Sequence, residues 1–123
     1  MKYVSAAGLL LWPWGTTTQP SPNAGALQTL GRRFAYFNGY FPEQSIGLYP
    51  TDGTTDGASY GELGVPQFTF EMGTTFFQPC SDFDSTIKPD NLQALIYAAK
   101  VVRAPYVIPS GPDVTQLTLA ANG

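Results

Sequence analysis

The chain has 123 residues, enough for one domain, and 43% hydrophobic residues with 14% aromatic ones can supply a core. Charged residues make up only 12%, and the net charge of −3 comes without the basic stripe that nucleic acids or anionic membranes require. We therefore expect neither partner, and we find no targeting segment and no membrane-length apolar run. Cys80 is the single cysteine, so an internal disulfide is impossible.

The first third of the chain predicts two extended segments followed by a helix. Residues 2–5 and 9–14 are typical of strands, and the unbroken apolar run in the second fits a strand buried on both faces. Asn23 is placed as an N-cap, after which Leu27, Leu30, Phe34 and Phe37 recur at helical spacing until Asn38 and Gly39. This helix is expected to cover the sheet.

The middle third predicts a loop between two short strands. Residues 45–49 indicate a short strand or the approach to one, and the Gly, Asp and Thr content of residues 50–57 is typical of a surface loop. Residues 59–63 are compatible with a helical turn. Residues 67–71 alternate like a strand that directs Phe68 and Phe70 to one side and ends at Glu71.

The last third predicts an irregular aromatic stretch over residues 73–88 and then the strongest helix of the chain. That helix starts at Pro89, and Ala104 with Pro105 ends it. Its expected apolar face consists of Leu92, Leu95, Ile96, Ala99 and Val102. Residues 1–106 form the expected domain, and residues 107–123 an extended tail that starts a truncated linker or a following domain.

These elements predict an α/β fold, a mixed β-sheet with flanking helices. Glu71 is the main candidate for chemistry, because a carboxylate at the point where an apolar strand opens onto a cleft can take a proton from water; taken alone, it is by default a solvated strand-end acid. Without further context Tyr49 is equally an ordinary strand-end aromatic, and Asp56 is by default a turn former. Cys80 has no histidine nearby and is expected to be structural rather than nucleophilic.

Five separated landmarks agree in order and spacing with the C-terminal half of zinc metallocarboxypeptidases of the carboxypeptidase A/B/T type, which residues 5–106 resemble. The resemblance implies half of a zinc-carboxypeptidase-like fold. The landmarks are the run LLLWPWG at residues 9–15, Leu48-Tyr49-Pro50, Asp56 with Tyr60 and Gly61, the run FTFE at residues 68–71, and the final amphipathic helix.

The resemblance assigns roles to three residues. In the family a zinc-bound water attacks the last peptide bond of a substrate, and the glutamate that ends the FTFE strand, here Glu71, is the general base. Tyr49 corresponds to the tyrosine that caps the bound C-terminal residue. Asp56 matches the base of the specificity pocket, where an acid implies a preference for C-terminal Lys or Arg through charge pairing.

The metal side of the family's site is not matched. Ser5 agrees with the family pattern, but Val4 stands where the family has a zinc-ligand histidine, and the sequence contains no histidine at all. Valine cannot coordinate a metal, and the resemblance places the other two zinc ligands in the N-terminal half of the fold. We therefore expect zinc as the family's cofactor but no metal held by this chain.

The leading expectation is a truncated or engineered zinc-carboxypeptidase-like domain that lacks peptidase activity on its own. Its exposed sheet edge is expected to make it a homo-oligomer. Two alternatives stay open. A missing half supplied by a partner would yield an enzyme acting on C-terminal Lys or Arg, or residues 49–71 would bind C-terminal peptides without cleaving them. The parent family is secreted, and this chain shows no targeting signal.

Overall fold

The computed structural model describes the backbone of residues 2–4 and all of residues 6–106. Four strands form one sheet in the order β1-β4-β2-β3. The strands are β1 (Lys2–Val4), β2 (Leu9–Trp12), β3 (Phe41–Gln44) and β4 (Thr69–Glu71). β1 runs parallel to β4, β4 antiparallel to β2, and β2 parallel to β3, so the expected α/β class with a mixed sheet is confirmed.

Strand β2 lies at the centre of the sheet, as its unbroken apolar run predicts. Leu10, Leu11 and Trp12 are all buried, because β3 and β4 flank the strand and α1 packs against it. The strand ends at Trp12, two residues earlier than the predicted Trp14, and the Pro13–Trp14 peptide bond is cis.

Helix α1 (Ala24–Asn38) covers the sheet as predicted. Its apolar positions Leu27, Leu30 and Phe34 are buried, and Gly39 ends it in the left-handed conformation, with its N–H donating to the carbonyl of Ala35. Asn23 occupies the N-cap position, but its side chain makes no capping hydrogen bond.

The predicted strand at residues 45–49 is wrong. The strand of this region is β3, which lies earlier in the chain, and Ser45–Gly47 form a 3-10 turn. The displacement follows from pairing, because β3 aligns with β2 from Leu9 opposite Phe41 to Trp12 opposite Gln44. Propensity favours residues 45–49 for a strand, but the partner strand has ended by that point.

Two helical segments extend beyond their predicted limits. Helix α2 (Thr55–Leu63) begins inside the stretch predicted as loop, so Asp56 lies in its first turn. The stretch predicted as irregular contains a helical turn, α3 (Cys80–Asp82), and a π-helical segment (Phe83–Ile87) that leads directly into helix α4 (Lys88–Val101).

The predicted buried face of α4 is also wrong. Leu92, Leu95 and Ile96 are each more than 40% exposed, and the helix instead buries Asn91, Ala94 and Val101. These residues lie on the side that faces α1, and the small Ala94 is fully buried there. Asn91 is accommodated because its side chain forms three hydrogen bonds, which remove the cost of burying an amide.

The predicted strand at residues 114–119 lies outside the described residues, as do Met1 and Ser5. None of the helices in the described part of the chain combines the length and apolar character needed to cross a bilayer.

Candidate functional site

Glu71 ends the strand β4, which runs between β1 and β2. Thr69 and Phe70 before it are buried, whereas Glu71 itself is half-buried. Gly73 then turns the chain away from the sheet at a φ of 75°, a conformation that glycine adopts without strain. The carboxyl group therefore lies where a buried strand reaches the surface, as the sequence predicts.

The backbone register places Val4 directly beside Glu71. The two residues are Cα partners in the parallel pair of β1 and β4, and Leu9 is the partner of Glu71 on the other side. The position that the resemblance assigns to a zinc-ligand histidine and the position it assigns to the general base are thus neighbours in one sheet. The two residues are 67 positions apart in sequence, so this proximity is a product of the fold.

Tyr49 follows the 3-10 turn and has 58% of its surface exposed. The backbone around it is held by two hydrogen bonds, from Leu48 N–H to the carbonyl of Ser45 and from Thr51 N–H to that of Gly15. The side chain thus projects from a fixed loop into solvent. A tyrosine in this setting is accessible to a ligand.

Asp56 is 5% exposed and accepts two hydrogen bonds, one at each carboxyl oxygen. The Thr69 hydroxyl donates to Oδ1 at 2.9 Å, and the Ser45 hydroxyl lies 3.0 Å from Oδ2. Its position in the first turn of α2 also favours negative charge, because the helix dipole is positive there. The acid is thus accommodated inside the protein by hydroxyl groups and a helix end.

The structure links these candidates only in part. Asp56 bonds to Thr69, two residues before Glu71, and to Ser45, four residues before Tyr49. Three cavities in the described part of the chain are lined by other residues. One of them, about 540 Å³, is an apolar groove between α1 and α4 that includes Leu30, Phe34 and Leu95.

Sequence reasoning missed Ser45 and Thr69, the two hydroxyl residues that hold Asp56. For Thr69 a signal exists, because it stands between Phe68 and Phe70 in a strand whose burial on both faces would demand a partner for a hydroxyl. Ser45 carries no such signal, since its placement depends on the 3-10 turn.

The donor atoms of the described residues do not fit the zinc that the resemblance implies. A catalytic zinc takes three protein ligands, usually from His, Cys, Asp or Glu. The sequence has no histidine, and its one cysteine, Cys80, is exposed. Over residues 2–4 and 6–106 no group of three such side chains is arranged to hold a metal ion. We therefore assign no reaction step to a metal held by these residues.

Comparison with known proteins identifies a relative over part of the chain. A zinc carboxypeptidase of Saccharothrix mutabilis subsp. capreolus is 44% identical over 70 residues, which cover 52% of this chain. This match supports a carboxypeptidase-like relationship. The same 70 residues are only 16% of that relative's length, so the chain corresponds to a small part of it. No family model matches the chain.

Proposed function

We propose that this chain forms the general-base wall of a zinc-carboxypeptidase-like domain and does not hydrolyse peptides by itself. Glu71 is the general base, and Tyr49 covers the C-terminal residue of a bound peptide. The metal ligands come from residues outside the chain. The 44% identity to a zinc carboxypeptidase over 70 residues supports the relationship on which these roles rest.

The observation that carries the proposal is the register between β1 and β4. Val4 and Glu71 are adjacent although the resemblance matched each of them independently, one to a metal-ligand position and the other to a general base. An accidental similarity of short motifs has no reason to place these two positions side by side. The adjacency is what a site needs if a base is to accept a proton from a water held by a neighbouring metal.

Inactivity of the chain alone follows from its donor chemistry. Glu71 can accept a proton, but a carboxylate does not by itself generate the hydroxide-like nucleophile that peptide hydrolysis at neutral pH requires. The absence of histidine from the sequence and the exposure of the lone Cys80 leave no three-ligand set in the described residues.

The test compares the chain alone with a complemented pair. The purified chain is assayed with zinc on a peptide ending in Arg, first alone and then after co-refolding with a fragment of the Saccharothrix enzyme that lacks the 70 matched residues. We expect no turnover alone and turnover in the pair. Glu71→Gln should lower kcat of the pair by about 100-fold or more.

A matched control is Glu62→Gln, which changes an exposed acid on α2 and should leave kcat of the pair unchanged. Zinc-dependent turnover by the chain alone would overturn the assignment of the metal ligands to other residues. An inactive pair, in which both fragments are shown to associate, would remove the catalytic role of Glu71.

The proposal includes self-association through a sheet edge. Among the described strands the two edges are β1 and β3, and β3 carries Pro42 and Glu43, which disfavour strand addition. The β1 edge is therefore the expected contact. Sedimentation should show a mass above that of the monomer at high micromolar concentration, and a clean monomer there would contradict the proposal.

A further inference from the structure

We propose that Asp56 is a positioning residue that acts from inside the protein on both sides of the site. It holds the segment that leads to Tyr49 through Ser45, and it holds the strand that ends at Glu71 through Thr69. The inference rests on the proposed function, because it takes Tyr49 and Glu71 as the site residues. In this role Asp56 does not contact a substrate side chain, unlike the specificity-pocket role that the resemblance implies.

The first argument is the closed environment of the carboxyl group. Asp56 is 5% exposed, and its two partners, Ser45 and Thr69, are 5% and 3% exposed. Each oxygen already has a hydroxyl within 3.0 Å. A basic side chain of a substrate could reach these oxygens only if the residues that cover the carboxyl group moved.

The second argument is the set of elements that this cluster joins. The Ser45 hydroxyl also lies 2.9 Å from the carbonyl oxygen of Trp12, at the end of β2. Asp56 belongs to α2, Ser45 to the 3-10 turn and Thr69 to β4. Three elements therefore meet at one carboxyl group, Ser45 ties β2 to them as a fourth, and two of the three lead to the site within four residues.

The hydrogen bonds around Asp56 can form without a negative charge at that position. The Ser45 hydroxyl has one proton and two acceptors in reach, the Asp56 carboxyl and the Trp12 carbonyl. An asparagine at position 56 would preserve all contacts. Its carbonyl would accept from Thr69, and its amide would donate to Ser45, whose own proton would then go to Trp12.

Amide hydrogen exchange measured by NMR on the purified chain tests this inference. In Asp56→Ala we expect protection of the Leu48 amide and of the β4 amides to fall about tenfold or more beyond any uniform change. In Asp56→Asn the same amides should stay within about threefold of wild type. Loss of protection in both variants would show that the asparagine hydrogen bonds cannot hold these elements without the charge, and would overturn positioning by the hydroxyl contacts.

Asn91→Ala is the matched control, because Asn91 is also 5% exposed and also makes several side-chain hydrogen bonds. In this variant the loss of protection from exchange should be largest at the amides of Tyr40 and Gly73. The Asn91 amide donates to the Tyr40 hydroxyl, and the Gly73 N–H donates to the same hydroxyl. The same exchange pattern in the Asp56→Ala and Asn91→Ala variants would reduce Asp56 to a general stabiliser and refute a positioning role.

A second measurement separates positioning from specificity in the complemented pair. If Asp56 acts by position, Asp56→Asn leaves the ratio of kcat/KM for Arg-ended and Leu-ended peptides unchanged. If Asp56 contacts the substrate, the ratio falls by about tenfold or more, and the inference is wrong. Should the pair be inactive, the proposed function fails while hydrogen exchange still decides this inference.

Discussion

Replacing Gly31 by alanine should destabilise the protein, although alanine is the better helix former. Gly31 lies in the middle of α1 at the point where the helix crosses β2. A Cβ atom placed there would be 2.8 Å from Trp12 Cε3, 2.9 Å from Trp12 Cζ3 and 3.1 Å from Leu10 Cδ2. Both neighbours are buried, so neither can move aside without disturbing the core.

The magnitude is the difference between two opposing effects. Overpacking of a core costs about 1–3 kcal/mol, and the change from glycine to alanine in a helix returns about 1 kcal/mol. We expect a net loss of up to about 2 kcal/mol in the free energy of unfolding, which corresponds to a fall in Tm of up to about 8 °C for a domain of this size.

Gly25→Ala in the same helix is the control, because no atom lies within 4 Å of the added Cβ. It should raise the free energy of unfolding by about 0.5–1 kcal/mol. Urea and thermal unfolding of both variants give the comparison. In a Trp12→Leu background, which removes both contacted ring atoms, the loss caused by Gly31→Ala should shrink. Equal signs for the two glycine substitutions would refute the close-approach argument.

Two further predictions concern the core and the pH dependence. Phe70→Ala should cost about 3–5 kcal/mol, because Phe70 is fully buried beside Phe34; Phe77→Ala, at a 97% exposed residue, should stay within about 0.5 kcal/mol. Burial raises the pKa of Tyr106 above 10.0, although a hydrogen bond with the Asn23 side chain acts in the opposite direction. The folded state therefore holds the phenol proton more tightly than the unfolded state, so this contribution is present below pH 10 and is lost as the pH rises above it. The free energy of unfolding should decline as the pH rises above 10, and Tyr106→Phe should make this decline smaller. An identical decline in both proteins would contradict the assignment to Tyr106.

The sequence predicts α1 closely because local and tertiary signals agree there. Leu27, Leu30 and Phe34 recur at helical spacing on one face of the helix, and that face is buried. Gly39 ends the helix, as expected for a glycine after its last turn. In such a segment the burial pattern and the backbone signals select the same structure, so a single sequence is sufficient.

Helix α4 shows why periodicity alone is insufficient. Its larger apolar residues, Leu92, Leu95 and Ile96, form the more hydrophobic stripe, yet the buried residues lie on the neighbouring stripe with Asn91 and Ala94. Because Asn91 is polar, a hydrophobic pattern predicts that its side of the helix is exposed. It is buried because Asn38 and Tyr40, more than 50 residues earlier, provide its partners. A polar network between distant segments is invisible to a local pattern.

The sequence indicates which residues are candidates for the site better than it indicates how they are arranged in space. The strand end at Glu71 is set by a local pattern, whereas Tyr49, predicted at the end of a strand, instead follows a 3-10 turn and is exposed. The prediction of a loop around Asp56 is wrong, because Thr55–Leu63 form a helix. The partners of the Asp56 carboxyl group come from two other elements. Burial of a carboxyl group depends on such partners, which only the fold assembles.

The order of strands in the sheet has a consequence for how the chain folds. β4 lies between β1 and β2, although it follows them by more than 50 residues. The first two strands therefore have no pairing with each other and must wait for residues 69–71 before the sheet can close. Non-local closure of this kind makes folding slow. During synthesis on the ribosome, a nascent chain ending before residue 69 would hold its first strand unpaired, and the strand carrying Glu71 would complete the sheet.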